Sequence, residues 1–405
     1  MAYRENKLHE TYRSVSAEGP VLSLVESNFH QCGFLPPAAP FEREFARFVS
    51  ERQYRPHPHG APSARRAVTA LDEQAGVSTS PEQVILTAST SEAYLLLFTT
   101  LLRERKRVLL PAPGYPLFDY LADQAGMETV YYPLSPSAGY RLRSRQLPQG
   151  GAASRVGAAV LVSPGNPTGH IMREQEIRRI CRFCRKQEIP LIADEVFSDL
   201  LFGEDEYPFP KAAALAEKEG VTVITLNGIS KLLASPDLKL GWMTVHGPKA
   251  EAKLEELAFA NDLLLGANAY IQHALPGLID ALGSFREEMR SAIAARREAA
   301  IDAFSTVPGM ELLPGEGGIY STLIIGPEWR EREYDDERIT VSLLEEERLY
   351  LHPGYFYGGD ELGEGEDFLV VTHLSPEEKL REGAARLRRW AERHARGNPS
   401  RRGER

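Results

Sequence analysis

The stretch AAVLVSPGNPTG (158–169) joins an unbroken apolar run to a turn made of proline, glycine and asparagine. Continuous rather than alternating hydrophobicity marks a strand buried on both faces, the habit of parallel sheets covered by helices. Outward from it the same pattern recurs in QVILTA (83–88), RVLLP (107–111), PLIAD (190–194), TVITLN (222–227) and GWMTVH (241–246). Helical patterns such as SEAYLLLFTTLL (91–102) and REQEIRRICRFCRKQ (173–187) lie between these runs and supply the crossovers a parallel sheet requires. The reading is an α/β fold with a mainly parallel sheet flanked by helices. Past about residue 275 the pattern changes. Long helices, REEMRSAIAARREAAIDAF (286–304) and SPEEKLREGAARLRRWAERH (375–394), surround the strands GGIYSTLII (317–325) and DFLVVTH (367–373). A smaller α+β domain is expected there, formed by the C-terminal part with the N-terminal segment. The expected divisions are an N-terminal segment over 1–50 packed on the small domain, the large domain over 51–275, the small domain over 276–395 and a frayed basic tail over 396–405.

Composition narrows the classes of function. A chain of 405 residues with 42% hydrophobic content can bury a substantial core. It has no run of about 18 apolar residues, and its start, MAYRENKLHETYR, is charged throughout, so a cytoplasmic protein without a membrane partner is expected. The net charge of −10 argues against nucleic-acid binding. The basic end, RLRRWAERHARGNPSRRGER, reads as a solvated last helix and tail. Cys32, Cys181 and Cys184 make no disulfide framework, and the CxxC in the helical pattern has no second pair, so no metal is expected.

Ligands of open α/β sheets bind outside the carboxyl ends of the strands. Four such ends here carry unusual chemistry: STSE after QVILTA, PGNPTG after AAVLVS, Asp194-Glu195 after PLIA, and GISK after TVITLN. The serine-threonine turn could equally be a helix cap. In NGISKLLASPDLKLGW (227–242) two cations, Lys231 and Lys239, sit in an apolar segment beside glycine and proline, which suggests a site built around an anion.

From about residue 20 to 395 the chain resembles the fold-type I pyridoxal-phosphate enzymes of the class I/II aminotransferase group. SPGNPTG, ADEVF and SKLLASPDLKLGW carry the resemblance, with Asn166, Asp194, Lys231 and Lys239 in the family's order and spacing. ASTSEAY, DEVF and HPGYF place it in an atypical bacterial subgroup. The resemblance implies that Lys231 forms the Schiff base with pyridoxal 5'-phosphate and that Asp194 keeps the pyridine nitrogen protonated. It further implies that Asn166 bonds the ring oxygen and Tyr115 stacks on the ring. Ser89, Thr90 and Ser91 at a helix start, with Ser230 and Lys239, would hold the phosphate. Lys239 stands where the family usually has an arginine. Tyr54 matches a tyrosine that reaches the neighbouring subunit's phosphate, which implies a homodimer with shared active sites.

Three further positions depart from the family pattern. Phe197 replaces a tyrosine, Gly228 replaces a phosphate-binding serine, and Leu369 falls where an arginine clamps the substrate carboxylate. Asn28, His352, Tyr355, Tyr357 and His373 are the candidate substrate contacts instead. The implied activity is transfer of an amino group between an amino acid and a 2-oxo acid. Two alternatives remain open: elimination, replacement, cyclisation or carbon–carbon bond formation on the same cofactor, and a regulatory protein that binds the cofactor without turnover.

Overall fold

The unbroken apolar runs form six strands of a seven-stranded sheet. In the computed structural model, which describes residues 6–51, 55–101, 105–202, 209–363 and 365–396, the chain opens with a helix, Lys7–Glu18, and a short strand β1 (Leu22–Ser23). The large sheet follows: β2 (Val84–Thr87), β3 (Arg107–Ala112), β4 (Glu128–Pro133), β5 (Val156–Val162), β6 (Leu191–Asp194), β7 (Val223–Gly228) and β8 (Gly241–His246). Their spatial order is β2-β8-β7-β6-β5-β3-β4. β4, β3, β5, β6 and β7 run parallel in succession, and only β8 is antiparallel to both its neighbours. Every residue of β5, β6 and β8 is buried, which is why they read as continuous runs. The edge strand β4, ETVYYP, is mostly half-exposed and lacks such a run, so the apolar pattern does not reveal it.

Helices cover both faces. Thr90–Leu101 and Ala250–Asp262 pack Leu97, Leu254 and Leu257 onto one side. Glu174–Gln187 packs Ile177, Ile180 and its two cysteines onto the other. Cys181 and Cys184 are thus core residues on the buried face of a helix, spaced for packing.

The smaller sheet holds β9 (Met310–Leu313), β10 (Tyr320–Ile325), β12 (His352–Pro353) and β13 (Phe368–Thr372) in the antiparallel order β12-β13-β10-β9. A short strand β11 (Leu349–Tyr350) pairs in parallel with β1. The last helix, Glu377–Arg396, buries Leu380, Leu387 and Trp390, and Trp390 stacks on Trp329 at 4.9 Å. Its basic face is paired: Arg389 and Arg393 bridge Glu347, and Arg381 and Arg386 bridge glutamates one turn back. The tail beyond 396 lies outside the described residues.

Two of the expected divisions need correction. Helix Lys7–Glu18 and β1 do pack on the small domain, through Leu8 and Val15 against Val341 and Leu344. Helix Ala38–Glu51 instead lies on helix Ala269–Ala281, where Tyr270 donates to the Phe41 carbonyl at 2.9 Å and meets the Phe45 ring edge-on. A boundary at 276 would cut helix Ala269–Ala281 at Pro276; the chain turns at Leu282. From there helix Gly283–Phe304 runs from the site into the small core, with Met289 and Ile293 near Phe197 and Phe304 beside Trp329.

Candidate active site

A cavity of about 160 Å³ opens at the carboxyl ends of β5, β6 and β7, lined by Thr90, Ser91, Tyr94, Tyr115, Asn166, Asp194, Phe197, Ser230 and Lys231 among others. Parallel strands bring these residues together because each strand ends in a loop on the same edge of the sheet.

Lys231 sits in a single helical turn, Ile229–Leu232, directly after β7. Its ammonium lies 5.3 Å from the Phe29 ring centre and 5.7 Å from that of Phe197. Burial lowers its pKa to about 8; the Asp194 carboxylate opposes this, and the charge of Lys239 adds to it. A sizeable share of the amine is therefore unprotonated near neutrality, the form that attacks a carbonyl.

Asp194 ends β6 and is buried. Its Oδ1 accepts from the Val196 backbone N–H at 3.1 Å and its Oδ2 from the Tyr94 hydroxyl at 2.9 Å. Burial raises its pKa to about 6, against these two hydrogen bonds, while the neighbouring Glu195 charge raises it further and Lys231 lowers it. Glu195 itself turns away to an ion pair with Lys211 at 2.7 Å. Tyr94 is a site residue that sequence reading missed. The available signal was a tyrosine hydroxyl one helical turn after Thr90, on the same face of the helix.

The serine-threonine turn divides between its two readings. Ser89 Oγ accepts from the Glu92 N–H at 3.1 Å and Glu92 Oε2 accepts from the Ala88 N–H, a reciprocal cap. Thr90 and Ser91 line the cavity; Ser89 does not. A Cβ on Gly241 would lie 2.8 Å from the Ser89 carbonyl carbon and the Thr90 nitrogen, so glycine there lets the helix start sit directly on β8. Gly228 has a similar cause. A side chain at that position would meet the Leu240 carbonyl oxygen at 2.8 Å, which leaves no room for a serine on this backbone. Lys239 is exposed, with φ at +52°, and stands outside the cavity lining although its charge reaches Lys231. Tyr54 lies outside the described residues.

Tyr115 lines the cavity and meets Phe118 edge-on at 5.5 Å. Phe197 is 3% exposed, beside Gly318. The Asn166 carboxamide oxygen is buried without a hydrogen-bond partner among the described residues. Asn28 does not line the cavity. Its carboxamide oxygen accepts from the His30 N–H at 3.0 Å in a local turn, and Ser27 faces the cavity instead. His352, Tyr355 and Tyr357 line a separate, larger pocket that adjoins through Tyr115.

Two expectations are overturned. His373 is no pocket contact: it is fully buried, its Nε2 is 2.7 Å from Ser321 Oγ, and burial lowers its pKa to about 3. Leu369 points into the small-domain core with Trp329 and Leu387, because side chains alternate along β13. Val370 is the residue that joins Phe29, Phe197 and Tyr320 on the site side. The position remains apolar, and among the described residues no arginine lines the cavity.

These residues fit pyridoxal phosphate. The cavity offers an amine for an aldehyde, a buried carboxylate for a ring nitrogen and an unpartnered carboxamide, which presents its NH₂ to a ring oxygen when its two ends are exchanged. It also offers Thr90 and Ser91 at the start of a twelve-residue helix for a phosphate.

Comparison with known proteins agrees. A tyrosine aminotransferase of Dictyostelium discoideum is 27% identical over 339 residues, 82% of this chain and 79% of the relative. A glutamate-pyruvate aminotransferase of Haemophilus influenzae is 26% identical over 336 residues, 82% of this chain and 81% of the relative. The solved structure of a tyrosine aminotransferase from Leishmania infantum shares the fold, with a TM-score of 0.82 at 22% identity, covering 97% of this chain and 99% of that one. The family model described as aminotransferase class I and II matches residues 34–387, and the chain belongs to that family of pyridoxal-phosphate enzymes.

Proposed function

We propose that Lys231 bonds the cofactor and moves the proton at the α-carbon of an amino acid whose amino group passes to a 2-oxo acid. The observation that carries this reading is a buried amine with a pKa lowered to about 8, in one cavity with the Asp194 carboxylate that Tyr94 and Val196 hold. Pyridoxal phosphate, when bound, supplies an aldehyde that accepts the amino group and a ring that takes up electrons from the α-carbon. Asp194 favours the protonated ring nitrogen through its charge. Asn166 orients the ring oxygen, Tyr115 covers one ring face, and Thr90, Ser91 and Ser230 donate to the phosphate. Lys239 contributes long-range positive charge, since it stands outside the lining. Phe197 leaves the ring oxygen without a phenol donor.

The proposed assembly is a homodimer in which Tyr54 of each subunit serves the other's phosphate. Supporting it, Phe45 at 54%, Phe259 at 70%, Leu263 at 71% and Leu265 at 68% are exposed apolar residues. Cys32, Cys181 and Cys184, all buried and unpaired, support a reducing, cytoplasmic location. Mixing Lys231→Ala and Tyr54→Phe subunits tests the shared site: hybrid dimers should regain part of the activity, and no gain overturns the sharing.

Borohydride treatment of the loaded protein should fix the cofactor on the peptide carrying Lys231. Label on Lys239, or none, refutes the assignment. The absent carboxylate clamp keeps a second reading open, bond-forming or elimination chemistry on the same cofactor. With a donor and no 2-oxo acid, amino transfer releases one equivalent of keto acid per site and stops until an acceptor is added. Continued turnover without acceptor replaces the first reading by the second.

A further inference from the structure

Beside the catalytic cavity lies a pocket of about 650 Å³, and Tyr115 belongs to the walls of both. The two domains meet there: the Gly114 N–H donates to the Tyr357 carbonyl at 2.9 Å. Tyr115, Tyr120 and Tyr131 come from the large domain, and Tyr355 and Tyr357 from the small one, so the wall is dominated by electron-rich rings. Asp119, Asp360 and Glu361 add carboxylates. Among the described residues no lysine or arginine lines this pocket, Lys231 is the only one lining the catalytic cavity, and His9 and His352 are the pocket's imidazoles. His352 supplies no charge at neutral pH, because burial lowers its pKa to about 4. Several of these groups are already fixed: the Tyr131 hydroxyl donates to Asp119, and His352 Nδ1 lies 3.0 Å from the Tyr357 hydroxyl.

A second carboxylate on a substrate would enter a pocket where Asp119, Asp360 and Glu361 are faced, among the described residues, by no lysine or arginine. A cation is drawn in by the carboxylates and by the ring faces together. We propose that this pocket takes the far end of the amino-group donor, and that the donor carries a second, non-reacting ammonium or guanidinium group. The inference rests on the amino-transfer reading of Lys231. It also accounts for the apolar Val370 on the site side of β13, since a cationic end held in the pocket orients the donor in place of a clamped carboxylate.

The test compares L-lysine with L-norleucine, which keeps the chain and lacks the terminal charge, as donors for the holoenzyme. L-Lysine should have a kcat/KM higher by about tenfold or more, carried mainly by KM. In the Asp360→Asn/Glu361→Gln double variant the preference should fall to about threefold or less. Equal use of the two donors, a preference for L-norleucine, or a ratio that the double variant leaves unchanged overturns the proposal. A second measurement does not depend on turnover. On borohydride-fixed holoenzyme, calorimetry should show 1,5-diaminopentane binding more tightly than pentylamine, with the difference lost in the double variant. If no donor loses its amino group while this charge-dependent binding persists, the pocket assignment stands and the amino-transfer reading fails. If donors react without regard to the far charge and the two amines bind alike, the chemistry stands and the pocket assignment fails.

Discussion

Tyr94 holds the carboxylate proposed to face the cofactor ring. Its hydroxyl donates to Asp194 Oδ2 at 2.9 Å, one of two hydrogen bonds that oppose the effect of burial. Tyr94→Phe removes one of them without opening a cavity, so the Asp194 pKa should rise above about 6, by about one unit. The acid limb of cofactor affinity, followed by absorbance between pH 5 and 8, should move upward by that amount while the alkaline limb stays in place. An unmoved profile would separate Tyr94 from the site's chemistry. Lys231 gives the opposite limb. With its pKa near 8 rather than 10.5, roughly one amine in ten is neutral at pH 7, so the rate of cofactor uptake should climb about tenfold from pH 6 to 7 and level off above 8. A rate that keeps climbing to pH 10 would show an ordinary, solvated lysine. The lysine, the aspartate and the asparagine were legible in the sequence because each follows a strand-like run. Tyr94 was hidden, since a tyrosine in SEAYLLLFTTLL counts as apolar until its hydroxyl is seen to meet a partner a hundred residues away.

At the scale of elements, the strand runs were legible and their contacts were not. Continuous hydrophobicity located the buried strands of the large sheet, whereas β4, half-exposed at its edge, carries no comparable run. The β13 register decides which of Leu369 and Val370 faces the site, and it is set by pairing with β10, where Leu323 opposes Leu369 and Thr322 opposes Val370. Nothing local to EDFLVVTH fixes that choice. Gly241 is a similar case: its lack of a side chain matters only because the Ser89–Thr90 peptide crosses 2.8 Å from where a Cβ would be. Gly241→Ala must push that helix start off β8. It should destabilise the protein by about 1–3 kcal/mol, and cofactor affinity should fall more than the loss of stability alone would produce. Thermal unfolding with and without cofactor checks both, and an alanine variant with normal affinity would show that the close approach does not position Thr90 and Ser91.

Across the whole molecule, one carboxylate ties the two domains together. Glu316 stands in the turn before β10 of the small sheet, and its partners all belong to the large domain. Ile171 N–H donates to it at 2.9 Å, Arg141 at 3.1 Å and Arg173 as well, and His170 Nδ1 lies 3.3 Å away. The backbone reinforces the joint, with the Glu316 and Gly317 N–H groups both donating to the Gly169 carbonyl. Sequence held no sign of this junction, because PGEGGI (314–319) reads as a surface turn and its partners are spread over distant segments. Burial raises the Glu316 pKa, but the hydrogen bonds from His170 and Ile171 and the Arg141 charge outweigh it and bring the pKa to about 2, from an ordinary 4.5. A carboxylate held more acidic in the folded than in the unfolded chain stabilises the fold fully above pH 4.5. That contribution is lost as the pH falls toward 2, because the unfolded chain takes up the proton first. With its side chain 30% exposed, the contribution is on the order of 2 kcal/mol. Glu316→Gln keeps the shape and the acceptor for Ile171 but loses the charge. Urea unfolding should therefore show the variant less stable than wild type by about 2 kcal/mol at pH 7, with the gap narrowing steadily between pH 5 and 3. A gap that does not change with pH would mean that the turn, through Gly169 and the neighbouring backbone, holds the domains together without help from the charge.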